Sequence, residues 1–356
     1  MAMRILGLMS GTSLDGLDLA LVEFKGFPTR TQQVKWNLLS GKTMDYPDVW
    51  LQRLSTAHKL SAPDLLLLHA DYGRFLGSCC KEFLATAGLR AELISSHGHT
   101  VFHEPAMGFT CQVGDGNVLA AEVGINTVYD YRTMDVAFGG QGAPLVPIGD
   151  EYLFGEYGTC LNLGGIANVS FATGGKRLAH DVCPFNLLLN YYAQREGYTY
   201  DPEGGLATSG QTDTGLLHVL TQLPYYQIKG PKSLDKEKLM THYTSIIDPR
   251  GLSNRDVLNT LSIHFAQEIA NNLHGDKVLV TGGGAFNQFA IKKLRELCAQ
   301  GLHIPSPDIV QFKEAIVFAL MGYLRVFELE NTLASATGAS TNCCAGSLVM
   351  APVGNL

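Results

Sequence analysis

Gly7-Leu8-Met9-Ser10-Gly11-Thr12-Ser13-Leu14-Asp15-Gly16-Leu17-Asp18 overlaps and joins two short apolar runs, residues 4–9 and 17–24, and its reading decides the fold. Both runs have strand character, so the stretch holds the tip of a β-hairpin. Glycines such as Gly11 and Gly16 let backbone N–H groups approach an anion closely, and the hydroxyls of Ser10, Thr12 and Ser13 add donors. Asp15 and Asp18 supply carboxylates suited to a hydrated magnesium ion. The tip is therefore expected to meet a nucleotide phosphate. It is not a P-loop: Gly11 and Gly16 have the outer spacing, but Leu17 occupies the lysine position, and the loop leads into a strand instead of a helix. A plain Gly/Ser/Asp turn is the competing reading.

The chain has 356 residues, more than one typical core, so two domains are expected. Hydrophobic residues make up 46% and charged residues 17%, a balance that fits a packed enzyme and not a disordered chain. A net charge of −7 leaves no basic surplus for a nucleic-acid partner. No apolar run approaches the roughly 18 residues that would span a bilayer, and the N-terminus lacks a basic signal-peptide region. The eight cysteines include the neighbours Cys79-Cys80 and Cys343-Cys344 but no C-x-x-C, which points to reduced thiols in a cytoplasmic protein.

Helical periodicity marks residues 62–88, 257–274 and 313–329. Residues 93–96 read as a strand leading to His97, and residues 127–130 as a strand leading to Arg132. The Gly-rich run Gly139-Gly140-Gln141-Gly142-Ala143-Pro144 follows, and a domain boundary is placed near residue 130. A weak internal repeat comes next. Residues 159–163 and 168–172 are strands around the Gly164-Gly165 tip, again strand, glycine tip, strand. A third cluster, Thr281-Gly282-Gly283-Gly284-Ala285-Phe286-Asn287, joins a strand to a helix in the manner of a βα ligand loop, without the full Rossmann spacing. The order of elements is α/β with a mixed sheet in each half.

Three glycine elements in this order resemble the actin-like and sugar-kinase ATPase superfamily, with its ribonuclease H-like fold, mixed sheets flanked by helices and a cleft between two domains. Within it the chain is similar to the anhydro-N-acetylmuramic acid kinases. The residues that carry this are the octet Met9–Gly16, Ser96-His97-Gly98, Gln112-Val113-Gly114-Asp115, the run from Gly139 through Pro147, Asn162-Leu163-Gly164-Gly165-Ile166-Ala167-Asn168, Pro231-Lys232-Ser233, the triple-glycine run, and Glu314-Ala315 with Phe318-Ala319.

The resemblance implies ATP and Mg2+ as cofactors and a small amino-sugar substrate, with no nucleic-acid or membrane partner, and a cytoplasmic homodimer. Such enzymes use water to open 1,6-anhydro-N-acetylmuramic acid and phosphorylate the freed 6-oxygen, in recycling of cell-wall peptidoglycan. Residues 1–130 would carry the first phosphate hairpin, with the C-terminal tail able to return to them. Residues 131–356 would carry the second hairpin and the adenosine loop. The nucleotide would meet Ser10, Gly11, Thr12, Ser13, Asp15 and Gly16, then Asn162, Gly164 and Gly165, then Gly282, Gly283, Gly284 and Asn287, with Asp15 on the metal side and Asp18 its rival.

The reaction needs a general base. Asp181 is the candidate, in Asp181-Val182-Cys183-Pro184-Phe185-Asn186 where the family has Asp-Thr-Gly-Pro-Gly-Asn; an N-cap of the following helix is the structural alternative. Arg132 suits the lactyl carboxylate through its planar fork, or else a surface ion pair. His97 would meet a sugar hydroxyl, or share a strand face and a metal with His99, where the family usually has Gln. Glu314 would open a helix near the sugar, or simply occupy a solvated helix start. Lys232 contacts substrate or shapes a loop. The departures at 99, 182, 183 and 185 keep open a nucleotide-binding relative with lost or altered sugar specificity.

Overall fold

A computed structural model describes residues 2–29, 34–228, 230, 232–234 and 236–352. Pro231, part of the Pro-Lys-Ser run, lies outside them. The chain forms two compact units, Met1–Gly155 with Phe312–Leu356, and Glu156–Gln311. The expected boundary at residue 130 thus falls inside the first unit, which also takes back the C-terminal 45 residues. Residues 131–155 are held there by Tyr131 on Ser95, Arg132 on His97 and the Tyr152 carbonyl, which accepts from the Val34 N–H, and the tail by Ser347–Val349, which runs antiparallel to Thr127–Tyr129.

The first unit is built on β1 (Ala2–Ser10), β2 (Leu17–Lys25), β3 (Lys35–Met44), β4 (Leu93–Glu104), β5 (Phe109–Val113), β6 (Thr127–Tyr129) and, from the C-terminus, β12 (Ser347–Val349). Their order is β12-β6-β4-β1-β2-β3, with β5 on β4. The second unit holds β7 (Thr159–Leu163), β8 (Ile166–Thr173), β9 (Lys176–Pro184), β10 (Lys277–Thr281) and β11 (Gly301–His303), in the order β11-β10-β7-β8-β9. The two sheets repeat one plan. β6, β4 and β1 are parallel and β1-β2-β3 antiparallel; β11, β10 and β7 are parallel and β7-β8-β9 antiparallel. The weak repeat of two glycine hairpins in the sequence is therefore part of a five-strand plan present in both sheets, to which the first adds β5 and β12.

Local chemistry explains the elements that flank the sites. The helix Ala62–Ala87 starts at Ser61, whose hydroxyl accepts from the Asp64 N–H, and stops at Gly88 in the left-handed region. The helix Asn254–Ala270 is capped by Ser253. The helix Pro307–Val326 begins six residues before the expected start at 313, because Ser306-Pro307 is itself a start signal: the Ser306 carbonyl accepts from the N–H groups of Ile309 and Val310. Within the first unit this helix lies almost on the backbone of β1. A Cβ on Gly7 would stand 2.0 Å from the carbonyl oxygen of Ala315.

Each unit has its own core. Leu6, Leu8, Leu17, Leu19, Tyr72, Leu76 and Phe83 fill the first; Leu161, Val169, Val182, Phe185, Leu258, Phe265 and Val280 are among those filling the second. No helix among the described residues is long and apolar enough to cross a membrane.

Candidate active site

In the first unit, the hairpin β1-β2 closes with Ser10 paired to Leu17. Gly11 is half-buried, and Thr12, Ser13 and Asp15 are exposed at the tip, while Gly16 is buried against Thr43 and Met44. Ser13 donates to Asp15 Oδ1 at 2.9 Å. Asp18 sits lower, accepting from Thr43 at 2.5 Å, and burial raises its carboxyl against that hydrogen bond, with Asp15 adding repulsion. Hard oxygen donors on a tip are the donor set a hydrated magnesium ion takes, usually through one or two carboxylates plus phosphate oxygens. Asp15 and Asp18 fit that ion as part of Mg-ATP. Among the described residues no cluster of three His, Cys, Asp or Glu side chains could hold a metal by itself.

Ser10 differs from the rest of the tip. It is 2% exposed, its hydroxyl accepts from Tyr46 at 2.7 Å, and it lies 2.8 Å from His99 Nδ1. Tyr46 also meets the hydroxyl of Tyr72 at 2.6 Å. The Ser10 side chain is thus committed inside the protein. Burial pushes the His99 imidazole down to about 4, so it is neutral at physiological pH.

His97 and His99 do not act as a pair. In β4 the pairing with β1 slips between Leu8–Ser96 and Ser10–His99, and Gly98 takes a φ of 72°, so a bulge breaks the alternation on which a shared face rests. His99 turns to Ser10. His97, 4% exposed, accepts from Arg132 Nε at 3.0 Å and uses Nδ1 on the Gly98 carbonyl at 2.9 Å. Accepting at Nε2 requires the proton on Nδ1, and desolvation, with Arg132 beside it, holds the ring well below its usual pKa. Both ring nitrogens are occupied within the protein.

Arg132 follows β6 after Asp130, a residue at φ 59°. Beyond its bond to His97 it donates through Nη1 to the Gly142 carbonyl at 2.5 Å. Desolvation lowers it to about 10, against the pull of Glu314 and Asp135, so it stays cationic at neutral pH. Glu314 is an exposed position in the interior of the helix Pro307–Val326, not at its start, so the helix-start explanation for it falls. Surrounding protein desolvates its carboxyl and raises it; Arg132 and Lys313 oppose this, and Asp18 and Asp15 reinforce it. Beside it Lys313 forms a buried ion pair with Asp150 at 2.7 Å. Ser10, His97, Arg132 and Glu314 thus belong to one unit, around the carboxyl ends of the parallel strands β1 and β6.

In the second unit, β10 runs parallel to β7 with Thr281 opposite Asn162, which brings the triple glycine to the second hairpin tip. A Cβ on Gly282 would stand 2.6 Å from Asn162 Oδ1 and 2.7 Å from the Leu163 carbonyl carbon, so only glycine fits. Gly165 and Gly283 are exposed and Gly164 half-buried, whereas Gly284 is buried against Phe185 and Leu163. Asn287 caps the helix Gln288–Leu297, its side-chain oxygen accepting from the Ala290 N–H at 3.0 Å.

Asp181 lies on β9 at a bulge: Asn168 pairs with Asp181 and Ala167 with Cys183, leaving Val182 extra. The helix Asn186–Gln194 has Phe185 at its cap position, so Asp181 is not an N-cap. Its Oδ2 accepts from the Leu234 N–H at 2.9 Å, its own N–H donates to the Lys232 carbonyl, and its carbonyl accepts from Tyr225. Lys232 spends its ammonium on the carbonyls of Tyr225 and Ile228 and over the Tyr225 ring. The residues that depart from the family pattern point inward: Val182, Cys183 and Phe185 are all at most 1% exposed. The backbone around them stays tied to the tip, since Phe185 and Leu187 donate to the Gly165 carbonyl and Asn186 to that of Gly164.

Sequence reasoning missed four polar groups at these sites. Tyr46 and Tyr72, which hold Ser10, are core residues of the first unit, but their sequence neighbours Asp45, Pro47, Asp71 and Gly73 give no sign of it. Asp135 and Thr337, both fully buried and joined at 2.7 Å, are 202 residues apart and carry no local signal.

A duplicated sheet with a glycine tip on each copy and a βα glycine loop beside the second is the α/β layout of the sugar-kinase fold. The family model for anhydro-N-acetylmuramic acid kinase matches residues 3–351. Relatives of that name include one from Shewanella sp. (strain MR-7), 34% identical over 96% of this chain and 97% of the relative, and one from Acaryochloris marina (strain MBIC 11017), 33% identical over 97% and 99%. The chain belongs to the anhydro-N-acetylmuramic acid kinase family. Among solved structures, a ROK family glucokinase from Streptomyces griseus is 11% identical with a TM-score of 0.40, covering 90% of this chain and 99% of that one.

Proposed function

We infer that the protein is an ATP-dependent kinase that hydrolyses the 1,6-anhydro bond of anhydro-N-acetylmuramic acid and phosphorylates the 6-oxygen, yielding N-acetylmuramic acid 6-phosphate for peptidoglycan recycling. Asp181 is the general base. Its carboxylate takes a proton from water as that water attacks the anomeric carbon. The bond from that carbon to the 6-oxygen breaks, and the 6-oxygen accepts the γ-phosphoryl of Mg-ATP, releasing ADP. A positioned base of this kind contributes roughly 10²–10⁴-fold. Phosphoryl transfer itself asks mainly for positioning and charge neutralisation. Mg2+, bound with the nucleotide, supplies part of that neutralisation.

In the first unit the tip residues Gly11, Thr12 and Ser13 are phosphate donors, with Asp15 towards the metal; in the second unit Gly164-Gly165 is a phosphate tip and Gly282-Gly283 the adenosine loop. Ser10 and Asn287 support these loops from inside, as their committed side chains indicate. Arg132 receives the lactyl carboxylate, with His97 setting its orientation, and Glu314 takes a sugar hydroxyl. The enzyme works in the cytoplasm as a homodimer.

The observation that carries this reading is the retention of Asp181 at a backbone bulge tied to the second glycine tip, while every departure from the family motif around it is absorbed by the core. The test is ADP release from Mg-ATP on addition of 1,6-anhydro-N-acetylmuramic acid. Nucleotide binding without sugar-dependent release would favour the relative with lost activity. Release triggered only by a different amino sugar would favour altered specificity.

A further inference from the structure

Arg132 reaches the Gly142 carbonyl with one N–H and His97 with another, which fixes the plane of its guanidinium and leaves its remaining N–H groups for a ligand. Gly142 is itself held. Its N–H donates to Asp135 Oδ2 at 2.8 Å, and it sits at φ 64°. The other oxygen of Asp135 accepts from the Thr337 hydroxyl at 2.7 Å. The backbone repeats the tie: the Gln141 N–H donates to the Thr337 carbonyl at 2.8 Å, and that of Gly140 to the Asp135 carbonyl at 2.9 Å. Gly140 is pressed between the two, since a Cβ there would lie 2.2 Å from Asp135 Oδ2 and 2.8 Å from Ala339 Cβ. A buried carboxylate with 0% exposure is expensive unless hydrogen-bonded, and this one spends both oxygens on the same loop-and-tail junction.

We propose that Asp135 and Thr337 are positioning residues for substrate recognition: the chain Thr337–Asp135–Gly142–Arg132–His97 locks the Arg132 fork in the orientation that receives the sugar's carboxylate. This rests on the assignment of Arg132 to that carboxylate. It gives the C-terminal segment a part in specificity, because the hydroxyl that starts the chain comes from it. A fork held within a narrow range of angles forms a bidentate pair at a lower ordering cost than a free one.

The experiment is steady-state kinetics of the full chain with Mg-ATP and 1,6-anhydro-N-acetylmuramic acid, comparing Thr337→Val, Thr337→Ser, Gly140→Ala, Arg132→Lys and the Thr337→Val/Arg132→Lys double variant. Thr337→Val is expected to raise the sugar KM about tenfold, in keeping with loss of a hydrogen bond to a charged group, with kcat and the ATP KM near wild type. Thr337→Ser, which keeps the hydroxyl, restores the wild-type KM. Gly140→Ala displaces the carboxylate without touching Thr337 and reproduces the rise, so the test survives if Thr337→Val fails to fold. In the Arg132→Lys background Thr337→Val adds little, as expected for groups acting through one another. Thr337→Val kinetics equal to wild type, an equal rise in both KM values, or full additivity with Arg132→Lys would overturn the proposal while leaving the kinase assignment intact. Absence of sugar-dependent turnover in the wild type would instead refute the kinase assignment and this inference with it.

Discussion

His97 Nε2 accepts a hydrogen bond from Arg132 Nε at 3.0 Å. The imidazole is therefore neutral and serves the arginine directly. Replacing His97 with Ala removes that acceptor and frees the fork. The sugar KM is expected to rise about tenfold, while the ATP KM stays near wild type; steady-state kinetics with each substrate varied in turn checks this.

Phe185 stands where the family has glycine, and its ring lies 1% exposed in the second unit's core, 5.9 Å from the ring of Phe265. Phe185→Gly brings the sequence closer to the family and should nonetheless destabilise the protein by about 3–5 kcal/mol, because the surrounding core leaves a cavity. Urea unfolding reads the difference. A neutral or stabilising result would mean that the site is not packed as described.

Gly7→Ala puts a methyl group 2.0 Å from the Ala315 carbonyl oxygen, a backbone atom that cannot swing away. The helix Pro307–Val326 must shift off β1, at a cost of about 1–3 kcal/mol or more. The same shift moves Glu314, so a fall in melting temperature should come with reduced activity.

His97, His99 and His264 are buried with lowered pKa values, His99 at about 4 and His264 at about 3, each mainly through desolvation. Above the ordinary value of 6.5 both folded and unfolded chains hold these rings neutral, and the shift has no effect. Below it the unfolded chain takes up protons first. Stability is therefore lost as pH falls from 6.5 towards 4, by about 1.4 kcal/mol per pH unit for His99 and for His264, with His97 adding in the same direction. His99→Gln should flatten the fall by one such increment in denaturant titrations across that range. An unchanged slope would show that His99 titrates normally in the folded protein.

Much of the fold was legible because it is written in short-range chemistry. The first hairpin, the helix ending at Gly88 and the strand into the triple glycine rest on apolar runs bounded by glycine, and all three form as expected. β3, β5 and β12 were not legible: their pairing partners set them, and β12 is brought to β6 from the far end of the chain. The site divides in the same way. Arg132 follows β6, and Asp181, on β9, was legible through the family pattern it keeps. The bulge at Gly98 sends His97 and His99 to different partners, and sequence alternation cannot show that. Nor can it show that the departures at 182, 183 and 185 are packing residues, since their burial is decided by helices and strands distant in sequence.

In the proposed mechanism Asp181 activates the water that opens the anhydro ring. Purified protein should be incubated with Mg-ATP and 1,6-anhydro-N-acetylmuramic acid in 18O-labelled water, beside Asp181→Asn, and the product analysed by mass spectrometry. The expected product is a sugar heavier by one phosphoryl group and one labelled water, with 18O at the anomeric carbon and none in the phosphate. The variant is expected to form it at a rate at least about 10²-fold lower. Product formed equally fast by Asp181→Asn, or label found in the phosphate, would contradict this mechanism.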